Sequence, residues 1–321
     1  LNNVAEPRVQ EVLVARQQAA RQVWVGRVAR FLRRHWVSYA FVAPFMILFA
    51  IFTIAPVLTS LYLSFTYFNI LEPPRWIGWT NYRLLILEDD IFLIAIKNTL
   101  MFAAITGPAG YFGSLLLAWM LNPLRHRVAL ALAYYVPSIT SGVAMAVVWK
   151  VLFFGGREGY LNAWLLQLGV LWEPIYWLQD QRTLMPIVIG VSLWASMGTG
   201  FLVFLAGLQQ VPQELYEAGR IDGIPNALAE LWYITLPYIR PQLLFGSVMS
   251  IVSSLSVFSV PVALAGLPSP LYAAHTIVAH LYDYSFIRFE MGYGSAIATV
   301  LFLFMFLLGR LMFRLLSSKD M

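Results

Sequence analysis

Residues 184–208 read LMPIVIGVSLWASMGTGFLVFLAGL, 25 positions without a charge, and residues 212–226 follow closely as PQELYEAGRIDGIPN. As a helix, the first stretch is long enough to cross a hydrocarbon layer about 30 Å thick. The second is polar and has prolines near both ends. An apolar run resumes only after Ile234-Thr-Leu-Pro237 and Pro241. The chain therefore leaves a membrane-length run, makes a compact elbow, and enters another run. Within the elbow, Pro212 suits a first helical position, where its missing N–H is no loss. Glu214 and Glu217 then face the positive end of the helix dipole. Gly223 supplies the left-handed conformation that closes the helix, Pro225 opens a second short helix, and Pro237 marks a bend before the next run. Leu215, Ala218 and the Ile221/Asp222 pair fall on neighbouring positions of one face. The elbow thus offers small and apolar side chains to something outside the bilayer.

Working outward, six stretches are long and apolar enough to span: 37–66, 93–121, 128–154, 184–208, 242–267 and 291–313. Of the 321 residues, 60% are hydrophobic and 12% are charged, about half the charge a soluble domain carries. Mean hydropathy is +0.71. A backbone inside lipid must satisfy its own polar groups, and these runs are too long and uniform for barrel strands. The fold class is therefore an all-α integral membrane protein. It comprises a basic segment 1–36, a six-helix domain 37–316 containing the loop 209–241, and a short tail 317–321. If the N-terminus is cytoplasmic, that side collects 14 of the 21 lysines and arginines, among them Arg125, Arg127, Arg220, Arg240, Arg310 and Arg314. Both termini are therefore expected inside. The same distribution explains the net charge of +5 without nucleic acid. Segment 1–36 lacks the apolar core and cleavage site of a signal peptide; it reads as a basic tail or a helix along the inner leaflet. Trp76, Trp79, Trp164, Trp172, Tyr176 and Trp177 follow outward-ending spans and read as interfacial anchors, and 160–168 as a short helix lying flat.

Several chemistries are excluded. There is no cysteine, so no disulfide or thiolate site. No histidine belongs to an HExxH arrangement, and none of the three lysines sits in a phosphate-binding GxxxxGK[ST] loop. His275 and His280 read as a solvated pair near an external loop. No charge stands in mid-span, so no proton relay or filter is visible. The alternative of a self-contained secondary transporter or channel needs one of these, and a membrane scaffold or receptor would use the elbow only to bind a partner.

The elbow resembles the EAA loop of permease subunits in binding-protein-dependent ABC importers: Glu-Ala-Ala, three residues, Gly, about nine residues, then Ile-x-Leu-Pro. Glu217, Ala218, Asp222, Gly223, Ile234, Leu236 and Pro237 stand at the expected places. Gly219 replaces the second alanine, which loosens a helix by up to about 1 kcal/mol, and the gap to Ile234 is one residue longer than usual. Tyr62-Leu-Ser-Phe-Thr66, Asn98-Thr99, Val136-Pro137, Phe204-Leu-Ala-Gly-Leu-Gln209 and Met291-Gly-Tyr-Gly-Ser-Ala296 are similar to the sugar-transporter branch. The external Gly-Gly-Gly-Pro is reduced to Ala265-Gly-Leu-Pro268.

The resemblance implies a type I importer fold in the cell (inner) membrane, with no covalent chemistry and no cofactor on this chain. ATP and Mg would be held by two cytoplasmic ABC ATPases that engage Glu214, Glu217, Ala218, Gly219, Asp222, Gly223, Leu236 and Pro237. It also implies a homologous second permease, a heterodimer being favoured over a homodimer, an external solute-binding protein, and a sugar or oligosaccharide as substrate. Ser196, Thr199, Ser253 and Ser256 match positions lining the sugar site in the maltose importer's larger permease subunit. Each pair has i, i+3 spacing, so each can face one cavity.

Overall fold

The computed structural model describes residues 36–140 and 142–316, without the side chains of 143, 197, 199 and 316. The basic segment before Trp36 and the tail 317–321 lie outside the described residues. The chain divides into two units, Leu1–Thr59 and Ser60–Met321. The described part of the first unit is the beginning of helix α1 (Trp36–Leu63), whose most apolar window buries none of its residues within the chain. It widens into a π-helical turn at Ala50–Ile54. Pro56 follows, and a proline cannot donate to the carbonyl four residues earlier, so the ladder is interrupted nearby.

The second unit opens with a hairpin, β1 (Thr66–Tyr67) against β2 (Arg75–Trp76), antiparallel with Thr66 opposite Trp76. Helices α2 (Thr80–Leu87) and α3 (Asp90–Leu121) follow. Next come α4 (Arg127–Ile139), α5 (Gly142–Leu152), α6 (Tyr160–Gln167) and α7 (Gln181–Leu208). The elbow is α8 (Gln213–Ile221) and α9 (Ala227–Glu230); then come α10 (Arg240–Leu255), α11 (Ser259–Ala265), α12 (Ile277–Tyr282) and α13 (Met291–Leu316). Helices α3 and α7 lie side by side, α10 packs on both, and α13 packs on α10. Gly246 permits this: a Cβ there would come within 2.6 Å of Phe204 Cζ, so α10 approaches the α7 side chains directly.

Among the described residues, five helices are long and apolar enough to cross a membrane, with a bent pair as the sixth candidate. The run expected as one span over 128–154 is that pair: α4 and α5 meet at about 90°. The physical reason is written in the residues. Thr140 ends α4 in an extended conformation, just after Pro137, and Gly142 begins α5. The 242–267 run is also interrupted. After α10, Phe258 leaves helical geometry before α11 starts. Pro261 has no N–H for the carbonyl of Val257 four residues back, and the Thr276 hydroxyl donates to that carbonyl instead, at 2.9 Å.

The short helix expected over 160–168 is present as α6. Its Asn162, fully buried, donates to the carbonyls of Phe154, Gly156 and Ile175 and accepts from Ile175 N–H and Trp177 Nε1. Trp177 thus spends its indole N–H inside the protein, while Trp172 and Trp164 stay exposed.

The family-like motifs at 62–66, 98–99 and 291–296 are each tied to distant parts of the chain. Asn81 donates to the carbonyls of Ser64 and Thr66, both at 2.9 Å, and Tyr82 to the Ser64 hydroxyl. Gly292 donates to the Phe68 carbonyl, and a Cβ on Gly292 would collide with the Thr66 carbonyl. Asn98 donates to the carbonyls of Tyr272 and His275 at 2.8 and 3.0 Å, and Thr99 accepts from Ile277 N–H. His275 and His280 are not the solvated pair expected. Both are 1% exposed and lie against each other, because the loop folds back over Asp89 at the start of α3.

Candidate functional site

The elbow is built as its residues dictate. Pro212 stands at the N-cap, one position before the expected site, with Glu214 in the first turn and Arg220 in the last. Gly223 adopts φ +89°, as expected. The helix closes on paired bonds: Ile224 N–H to Gly219 O at 2.9 Å and Gly223 N–H to Arg220 O at 3.2 Å. That double closure requires the left-handed residue. The second helix is capped by Asn226, whose side chain accepts from Ala229 N–H at 2.9 Å, so the helix starts at Ala227, two residues beyond Pro225. A π-helical turn, Leu231–Thr235, precedes Pro237.

Two faces result. Inward, Tyr216 shares a 2.9 Å hydrogen bond with Thr235. Gly219 is buried: a Cβ there would lie 2.5 Å from Ile234 Cδ1 and 3.0 Å from Ile224 Cδ1. The glycine therefore lets α8 rest closely on the following segment, which accounts for its replacing the alanine of the resembling pattern. Outward, Glu214, Leu215, Glu217, Ala218, Ile221 and Asp222 are exposed, as are Leu228 and Trp232. Gln213 donates to Glu217 at 3.0 Å, and Arg220 pairs with Glu230 across the turn at 2.9 Å. The elbow is seated on the core: Tyr216, Ile234 and Leu236 pack against the cluster of Phe201, Phe204, Leu208, Ile239 and Leu243. Close-packed side chains thus join the elbow to the ends of α7 and α10.

Of the four residues expected to line a sugar site, the structure describes the side chains of Ser196, Ser253 and Ser256. Ser196 and Ser253 are exposed and turn their hydroxyls back to Leu193 O and Ser250 O, at 3.5 and 3.1 Å. Ser256 donates to Met305 Sδ at 3.5 Å. The Thr199 side chain lies outside the described residues. Cavities with serines in their walls lie at the α4–α5 break and beside α10. One, about 380 Å³, is lined at the α4–α5 break by Ser138, Thr140, Trp149, Trp194, Ala195 and Ser259. Its indoles meet edge to face at 5.4 Å. The other is an apolar groove of about 640 Å³ between α3, α10 and α13, which includes Ser247, Ser250 and Ser254. Ser196, Ser253 and Ser256 line neither. The break is announced by Pro137, Thr140 and Gly142 within an apolar run, a turn signal that counting membrane-length runs passes over.

Comparison with known proteins agrees with this architecture. Residues 110–319 match the family described as "Binding-protein-dependent transport system inner membrane component". The chain belongs to this family. This permease is 32% identical over 280 residues to the probable ABC transporter permease protein YesP of Bacillus subtilis, covering 86% of this chain and 89% of that one. It is 31% identical to the arabinooligosaccharides transport system permease protein AraP of the same organism, covering 90% and 91%. It is 30% identical to the lactose transport system permease protein LacF of Rhizobium radiobacter, covering 86% and 92%. A chain of a bacterial ABC transporter that imports the acidic polysaccharide alginate superposes with a TM-score of 0.77 at 24% identity, covering 92% of this permease and all of that chain. The type I importer permease fold and the multi-pass inner-membrane location expected from the sequence are both borne out.

Proposed function

We propose that this permease carries a sugar or oligosaccharide, driven by ATP that separate ABC ATPases hydrolyse. The observation that carries the reading is the elbow: an exposed face of Leu215, Ala218 and Ile221 on a closed helix whose other face is packed into the core. A helix built this way fits a cleft of a cytoplasmic ATPase. ATP-driven closure of two ATPases would move it as a rigid body and switch the spans between inward- and outward-facing arrangements.

The elbow then faces the cytoplasm, as do both termini, and the arginines around the elbow support that orientation. A homologous second permease completes the pathway, since one six-helix subunit does not enclose a wide polar cavity; a heterodimer is favoured. A solute-binding protein delivers solute from outside. This chain holds no cofactor, ATP and Mg lying on the ATPases. The sugar is supported by the names of AraP and LacF. Ser196, Thr199, Ser253 and Ser256 face the second permease in this reading, which the exposure of Ser196, Ser253 and Ser256 in a single subunit suits.

Glu217→Lys and Gly223→Pro test the coupling. Both variants are expected to insert into the membrane while losing co-purification of the ATPase. A fully active complex with either would reject the assignment.

A further inference from the structure

Asp89 precedes α3, and its carboxylate takes three donors. The Phe92 amide reaches Oδ1 at 2.9 Å, and Oδ2 receives the Tyr293 hydroxyl at 2.7 Å and His280 Nε2 at 2.9 Å. His280 Nδ1 lies 3.2 Å from His275 Nε2. These contacts fix the protons. A carboxylate only accepts, so His280 Nε2 carries a hydrogen. In a neutral ring Nδ1 is then bare and accepts from His275 Nε2–H. His275 Nδ1 remains a buried acceptor without a hydrogen-bond partner among the described residues. A proton added to the chain, whichever ring takes the charge, leaves an N–H at that same Nδ1, where no acceptor faces it. A buried donor without an acceptor is costly. The chain is therefore satisfied best with both imidazoles neutral.

The surroundings agree. Burial holds His275 down to about 4, with His280 adding to it and Asp283 and Asp89 only partly offsetting it. Burial also lowers His280 against the pull of Asp89. Burial pushes the Asp89 carboxyl up, but the three donors outweigh it and hold it below the usual range. The remaining polar neighbours are Arg288, joined to Asp283 at 2.8 Å and lying over the Tyr284 ring, together with Glu290 and Tyr272, which meets His275 edge-on.

We propose that His275, His280 and Asp89 are positioning residues forming a neutral-state latch: they hold the loop 266–290 in the shape on which the solute-loaded binding protein acts, and release it when a proton enters the chain. The proposal rests on the reading that this loop faces outside and meets the binding protein. Leu271, Phe286, Ile287 and Phe289 are exposed on it. The sign follows from linkage. In the released loop His275 titrates near its ordinary 6.5, and in the latch only at about 4. Between those values the released form binds a proton that the latched form refuses, so acid favours release. For one histidine the shift from pH 7.5 to pH 5.5 is about tenfold.

The test uses the assembled transporter in phospholipid nanodiscs, wild type and His275→Gln, at pH 7.5 and 5.5. Glutamine keeps an N–H donor for His280 but takes no proton in this range. In wild type, amide hydrogen exchange of 266–290, corrected for intrinsic pH dependence, is expected to rise about tenfold at the acid pH. Stimulation of ATP hydrolysis by the loaded binding protein is expected to fall with it, and in His275→Gln, where only His280 can still take a proton, both change less than in wild type. Wild-type loop exchange that does not change, or a variant that follows the wild-type profile, overturns the latch. If the variant fails to assemble, the wild-type exchange profile decides alone. Exchange that rises as expected without any stimulation at pH 7.5 upholds the latch and rejects the binding-protein reading beneath it.

Discussion

Gly223, just past the end of α8, and Gly219, four residues earlier inside it, do different work. The first takes φ +89°, a conformation that costs an L side chain roughly 1–2 kcal/mol, and its role is legible in the string Asp-Gly-Ile-Pro. The second matters because Ile234 lies against it, and no local rule anticipates a neighbour so far along the chain. The histidines repeat the lesson more strongly. His280 is buried by Asp89, 191 positions away, so composition and spacing leave it looking solvated. Serines are ambiguous for the opposite reason, since each can bond its own helix or a ligand. Ser253→Ala with Ser256→Ala separates those roles. If they touch sugar, the double variant should transport with roughly five- to thirtyfold weaker apparent affinity, about 1–2 kcal/mol in all. Unchanged affinity in labelled-sugar uptake would make them packing residues only.

At the scale of elements, the apolar runs disclose six candidate crossings, and the long helices α3, α7 and α13 fall nearly where length and composition place them. What the runs conceal is interruption. Pro137, Thr140 and Gly142 bend the third crossing, and Pro261 opens the fifth, yet hydropathy is blind to both because every residue involved is small or apolar. Inside a membrane such a break persists only when its freed carbonyl finds a donor, and Thr276 supplies it to Val257. Thr276 also caps α12 by accepting from Ala279 N–H. Thr276→Val should therefore lower the thermal stability of the purified complex by about 1–3 kcal/mol. Pro261→Ala returns an N–H within reach of the Val257 carbonyl, so the same substitution in that background should cost about 1 kcal/mol less. Strictly additive losses in the double-mutant cycle would show that the Thr276–Val257 bond is not what supports the break.

The unit Ser60–Met321 has two worked ends joined by packed helices. The elbow leans on Phe201, Phe204, Ile239 and Leu243. At the far end Asp89, Asn98 and Thr99 bind the loop between α11 and α13. In the proposed function a push comes from outside the chain, and the elbow is where the fold presents a closed helix with Leu215, Ala218 and Ile221 exposed. Transport in sealed vesicles measures this most directly. Labelled oligosaccharide and its binding protein are placed outside, and the permeases are reconstituted with or without the ATPase subunits and internal ATP. Accumulation is expected only when ATPase and ATP are both present, and Glu217→Lys should abolish it. Uptake by the permeases alone, without nucleotide, would contradict the account.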